Sequence, residues 1–335
     1  MITTESLWLK KIRRNKFKTF VYIFVPSLFI FLLAFSLAPA RGSSNNNNLM
    51  FYMGGILRPQ IMFTAGVTPK RFHSRRDSFG VRYTPLLAAL GYGATSIEIY
   101  LWLKKDGSLC VNPDNPESYD QTLDQVYLTP LQNMLEYTNQ QPGGGMTSGV
   151  FQSAPYLPLQ LVMNIRTPGP PHPGPGPYTL EALDATLQPF LKAGWLTTVD
   201  TVNPKAPPRQ SALTIIITGA DSPPPIILNP TGPTRYMFYD APLKELDGGP
   251  MYTPALSPMA SASFSSLVGL RWVVPHLARK KILQYVRMAH NQGIAVRVTE
   301  PIDFPLWIRN AYWQILLDCG VDWLDVDDLY SASQF

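Results

Sequence analysis

Cysteine is scarce in this 335-residue chain. Cys110 and Cys319 can close at most one disulfide, and no CxxC pair or zinc-type spacing occurs, which excludes a disulfide-stapled scaffold and a zinc module. Two free, buried thiols are the expected state. No glycine-rich phosphate turn follows any apolar run, so the fingerprint of a dinucleotide-binding, doubly wound sheet is missing. Internal repeats and Asn-X-Ser/Thr sequons are absent as well. Charge is thin once it is located. The chain has 28 Lys and Arg against 23 Asp and Glu, and residues 1–18 hold six of the cations (Lys10, Lys11, Arg13, Arg14, Lys16, Lys18) with Glu5 as the single anion, which leaves 22 of each sign elsewhere. A neutral remainder lacks the clustered basic face that binds a phosphate backbone, so nucleic acid is not an expected partner.

One long hydrophobic run is present. Thr19 to Ala38 is free of charge for 20 residues, about 30 Å as a helix and so the thickness of a bilayer's hydrocarbon core. The six cations before it and the lone Arg41 after it place the N-terminus on the cytoplasmic side. The expected organisation is a basic cytoplasmic tail over 1–18, a transmembrane signal anchor over 19–38, a linker over 39–58 and a folded domain over 59–335. That domain would face the lumen or the exterior. Cleavage after a small-residue site at Ala38-Pro39-Ala40, giving a secreted protein, is the alternative.

Beyond the linker, apolar β-branched runs alternate with segments of helical period. Strands are expected at Ser96–Leu103, Leu159–Arg166, Leu213–Gly219, Arg235–Asp240, Ile294–Thr299 and Trp323–Asp327. Helices are expected at Thr84–Leu90, Asp124–Thr138, Thr179–Lys192, Arg279–Asn291 and Pro305–Cys319, the last with a stripe of Trp307, Ala311 and Ile315. Gly194, Gly293 and Gly320 follow helix patterns where a left-handed C-terminal residue is wanted. This alternation predicts an α/β fold of the (β/α)8 TIM-barrel type, preceded by one N-terminal transmembrane helix. Arg166–Pro177, with six prolines in twelve residues, would then be a stiff loop at the C-terminal face of the strands.

In such a barrel, chemistry resides at the C-terminal strand ends. His73, Glu98, Asn164, Arg166, Asp240, Glu300 and Asp327 occupy or close strand-like segments. Asp325 and Asp328 read as residues that cap and turn the last strand. Glu98 has a plain structural role open to it, as a buried carboxylate paired with Arg166.

The segments Phe72–Asp77, Thr84–Leu90, Ser96–Leu103, Asp106–Val111, Ala289–Ile294, Arg297–Pro301 and Cys319–Leu329 together resemble the fungal "altered inheritance of mitochondria protein 6" family. This family is a branch of the phospholipase-C-like phosphodiesterase barrels. The resemblance implies metal-assisted cleavage of a phosphodiester, with two histidines moving protons and a Glu-X-Asp pair plus a later carboxylate holding Mg or Ca. Carried onto this chain, the catalytic candidates are His73 and Asp77, and the metal candidate is Glu98. The family's other positions read differently here: Tyr100 stands for the second carboxylate of the pair, Pro113 for the second histidine and Asn164 for the later carboxylate. Arg75, Arg76, Asn164 and Arg166 become candidate ligands for phosphate, since Arg presents a planar fork of donors. The expected protein is thus a membrane-anchored, catalytically impaired member of the family. It would bind a phosphate-bearing lipid or small molecule, and an active phosphoric diester hydrolase with altered residues is the alternative.

Overall fold

The structure is a computed structural model and describes residues 63–75, 84–104, 106–111, 121–140, 147–166, 177–203, 206–219, 223–230, 232–248, 252–269 and 275–335. The chain divides into two compact units, Met1–Leu49 and Met50–Phe335, and all described residues belong to the second. The expected membrane segment, the linker, the proline-rich loop and the candidates Arg76 and Asp77 lie outside the described residues. Among the described residues, no helix is long and apolar enough to cross a membrane.

Eight parallel strands close on themselves. They are β1 (Lys70–Ser74), β2 (Ala94–Leu103), β3 (Leu159–Ile165), β4 (Leu213–Thr218), β5 (Met237–Pro242), β6 (Met259–Ser263), β7 (Ala295–Thr299) and β8 (Trp323–Val326). Each pairs with its neighbour in chain order, and β8 returns to β1 with His73 opposite Asp325. The closed order makes this a TIM-type barrel, as the strand–helix alternation predicts. Leu109–Val111 adds a short antiparallel hairpin strand against β2.

The helices that cover the barrel are α1 (Pro85–Gly91), α2 (Thr129–Thr138), α3 (Pro177–Lys192), α4 (Pro225–Leu228), α5 (Phe264–Val268), α6 (Pro275–Asn291), α7 (Leu306–Asp318) and α8 (Leu329–Gln334). Gly194, Gly293 and Gly320 have φ of 74°, 73° and 86°, the left-handed helix ends expected of them. The stripe Trp307, Ala311 and Ile315 is not the buried face of α7. Arg309, Tyr312, Trp313 and Leu316 are buried instead, and Trp307 is 73% exposed. One element carries no pattern to read: β6 is Met-Ala-Ser-Ala-Ser, too small and polar for a strand signal. The helix expected over 124–138 forms as a π-helical turn, Asp124–Leu128, that runs into α2.

Strand alternation separates two interiors. Ile97, Ile99, Leu161, Met163, Ile215, Ile217, Val296 and Val298 face outward into the main core beneath the helices. Val162, Ile216, Phe238 and Met259 form a smaller apolar cluster inside the barrel, on β3 to β6. Arg297, Asp325, His73, Ser96 and Glu98 stand inward from β7, β8, β1 and β2, and all five are buried. Cys110 and Cys319 are both buried and free, the state expected of them.

Gly219, just past β4, is held at φ 87°, and a Cβ there would come within 2.9 Å of Asn164 Oδ1 and of the Ile165 carbonyl oxygen. Gly107 has a similar φ of 84° with nothing within 4 Å of the same position. Gly219→Ala is expected to lower stability by about 2–4 kcal/mol, and Gly107→Ala by about 1 kcal/mol, since only the former adds a clash to the backbone strain. Urea unfolding midpoints of the two variants check this.

Candidate functional site

His73 sits near the end of β1 with no exposed surface. Its Nδ1 lies 2.8 Å from Ser96 Oγ, and the Ser96 hydroxyl donates onward to Gln160 Oε1 at 2.7 Å. Its Nε2 lies 2.8 Å from Arg297 Nη1. A guanidinium can only donate, so Nε2 must offer its lone pair and the proton resides on Nδ1. Burial, with the charges of Arg297 and Arg75 added to it, holds the His73 pKa well below the usual histidine range. His73 is therefore a neutral imidazole with both nitrogens engaged.

Arg297, from the middle of β7, makes two further bonds, from Nε to Ser261 Oγ at 3.0 Å and from Nη2 to Asp240 Oδ2 at 2.9 Å. Burial alone would depress its pKa, but Asp240, Glu98 and Asp325 together raise it. A mid-strand arginine in a Val-rich run was the signal available for this residue, because a buried Arg requires partners. Neither Arg297 nor the inward-facing Ser96, Gln160 and Ser261 was singled out as a site candidate from the sequence.

Asp325 does not cap the last strand, contrary to expectation. It faces inward from β8, where Oδ2 accepts the Glu300 backbone N–H at 2.9 Å and Oδ1 is buried without a hydrogen-bond partner. Glu300 meets it with a φ of 51°, the left-handed conformation that a non-glycine residue adopts only under constraint. Burial pushes the Asp325 pKa up to about 7; Arg297 and Arg75 oppose the rise and Glu98 adds to it. Asp328 does act as a cap, its side chain accepting from the Ser331 N–H at the start of α8.

Arg75, at the turn after β1, is engaged by carboxylates. It grips Asp327 with Nε at 3.2 Å and Nη2 at 2.8 Å, and Nη2 also reaches Asp303 at 2.6 Å. The guanidinium expected to meet a phosphate thus faces anions from two neighbouring loops. Glu98 is not paired with Arg166. Its Oε1 accepts from Asn164 Nδ2 at 3.0 Å, and Arg166 instead lies over the Tyr100 ring, 5.4 Å from its centre. His73, Glu98, Asn164 and Arg75 are therefore brought to one interior, with Arg166 exposed at its rim.

The Mg or Ca that the family resemblance implies finds a poor donor set. Asn164 turns its amide nitrogen toward Glu98, while its Oδ1 is buried and unpartnered. Among the described residues, no three His, Cys, Asp or Glu side chains are placed to hold a metal ion. A hard cation requires several anionic oxygens, and one carboxylate capped by an amide N–H does not fit it.

Residues 61–240 match the profile of the AIM6-like phosphodiesterase domain. The altered inheritance of mitochondria protein 6 of Eremothecium gossypii is 29% identical over 280 residues, 79% of this chain and 69% of that protein. A homolog from Arthroderma benhamiae is 28% identical over 284 residues, 81% of this chain and 85% of its own. A glycerophosphodiester phosphodiesterase from Thermotoga maritima overlaps 80% of this chain and 99% of its own, at 12% identity and a TM-score of 0.39.

Asp325 and His73 give opposite contributions to pH-dependent stability. The unfolded Asp releases its proton near pH 4, whereas folded Asp325 keeps it to about pH 7, so its contribution falls as pH rises between those values. The depressed pKa of His73 acts the other way, removing stability as pH falls below about 6.5. Asp325→Asn should therefore gain in Tm relative to the parent between pH 5 and pH 8. A difference in Tm that stays constant across this range would contradict the assignment.

Proposed function

The chain belongs to the family of AIM6-like phosphodiesterase domains, and from that premise we propose a membrane-anchored member that binds a phosphate-bearing ligand and is impaired in hydrolysis. The observation that carries this reading is the double engagement of His73. A general base requires a free lone pair within reach of the proton it removes, and the Nε2 lone pair is taken by Arg297 at 2.8 Å. Freeing it would strip a partner from a buried guanidinium, which is costly. The loss of one positioned proton-transfer group lowers rate by about 10²–10⁴, and the weak metal donor set compounds it. Arg166 supports the binding half of the proposal. It is exposed at the strand ends and, among the described residues, has no carboxylate partner, so its donors are available to an anion. The charge-free run over 19–38 supports the anchor.

A second reading, hydrolysis with altered residues, is favoured by Asp325. A carboxyl group titrating at about 7 suits a general acid at physiological pH.

The test uses the full chain reconstituted in lipid nanodiscs. Glycerophosphodiesters and phospholipids should show no turnover above background, with or without millimolar Mg²⁺ or Ca²⁺. Turnover that requires the metal and disappears in Glu98→Gln overturns the proposal in favour of an active enzyme. For binding, titration with glycerol 3-phosphate should saturate, and Arg166→Ala should weaken it roughly 10- to 100-fold, the range for one charge-assisted hydrogen bond. An unaltered titration in that variant would remove Arg166 from the site. In native membranes, the anchored chain should stay in the pellet after alkaline carbonate extraction.

A further inference from the structure

We infer that Arg297 is the resident cation of this barrel, occupying with a fixed guanidinium the electrostatic role that the family resemblance gives to a divalent ion, so that the fold is independent of metal. Carboxylates from three different strands point into one interior: Glu98 from β2, Asp240 from β5 and Asp325 from β8. Each is buried, and buried like charges repel unless a positive charge lies among them. Arg297 supplies that charge. It donates to Asp240 Oδ2 at 2.9 Å and interacts electrostatically with Glu98 and Asp325. Its remaining bonds, to Ser261 Oγ and His73 Nε2, fix the plane of the fork from β6 and β1. The guanidinium therefore joins elements around the barrel, as a central metal would.

Two features separate this arrangement from a vacant metal site. Arg297 is only 3% exposed and its hydrogen-bond partners are directional, so it is built into the core and not a side chain that swings in from the surface. A divalent cation entering beside it would also meet a like charge in a medium of low dielectric. Arg75 adds a second positive charge from the strand ends, its Nη1 lying 3.8 Å from Asp325 Oδ2, and burial raises the Asp325 pKa against both guanidinium groups, with Glu98 adding to the rise.

The inference concerns the resting electrostatics of the interior and holds whether or not the protein hydrolyses a substrate. Its first test is on the unaltered full chain. Tm in EDTA, and in about 5 mM Mg²⁺ or Ca²⁺ at matched ionic strength, should agree within about 1 °C, whereas a bound structural ion stabilises by mass action. A rise of several degrees with either metal overturns the inference. The second test is a charge-balanced pair. Arg297→Met removes the counter-ion of Asp240 and one of the two guanidinium charges that act on Asp325, and should lower Tm by roughly 10 °C. The double variant Arg297→Met with Asp240→Asn should recover at least half of that loss, and failure to recover would show that Arg297 is not the counter-ion. If Arg297→Met does not fold, the comparison becomes the double variant against Asp240→Asn alone. A double variant that also fails to fold would count against the inference, since its interior carries no more net charge than the parent's.

Discussion

The buried contact between Arg297 and the carboxylates around it is the constraint on which the interior depends. A β-barrel filled with Val, Ile and Leu needs no such device, because dispersion and the exclusion of water suffice. This barrel fills half of its interior that way, with Val162, Ile216, Phe238 and Met259. The other half holds ionisable groups with almost no exposure, and burial of that kind is tolerated only when charges are matched and hydrogen bonds are made. Arg297 meets both conditions at once, through Asp240, Ser261 and His73. The tautomer of His73, the hydroxyl direction of Ser96 and the orientation of Gln160 then follow in sequence from which atoms can donate.

At the strand ends the same logic continues in a wetter setting. Arg75 is buried but closes the partly exposed Asp327 and Asp303 into one cluster, and solvent at the carboxylates makes these pairs add less to stability than the fully buried one. Their effect is chemical as much as structural. A guanidinium between two carboxylates presents little net charge to an incoming anion, whereas Arg166 rests on an aromatic ring and, among the described residues, has no carboxylate partner. Among the described residues, Asp303 and Asp327 thus gather where β1, β7 and β8 finish, away from Arg166 at the end of β3.

Much of the architecture was legible from the chain. Leu213–Thr218 reads as a buried strand because its β-branched residues are apolar on both faces. β6 was not legible, since Ala and Ser carry no strand preference, and it forms only because neighbours on both sides supply its hydrogen bonds. The face of α7 was misread for a related reason. Trp307, Ala311 and Ile315 share one face by their spacing, but the face that meets the barrel is the one carrying Tyr312, Trp313 and Leu316, and only the position of the barrel selects between them. The pairing of Glu98 was equally out of reach. Asn164 and Arg166 are two residues apart at the end of β3, and only the tertiary structure gives the amide to Glu98 and lays the guanidinium over Tyr100.

The periodicity of apolar residues and the order of strands and helices by themselves determined a barrel, and the resemblance carried by its sequence segments pointed to a family of phosphodiesterase type. These follow from local propensity and from the burial of one face, which are written along the chain. Which nitrogen of His73 carries the proton, which carboxylate titrates near neutrality and whether the interior accommodates a metal were decided only by tertiary structure. Each depends on distances between strands far apart in sequence, because hydrogen bonding and Coulomb energy act across space and not along the backbone.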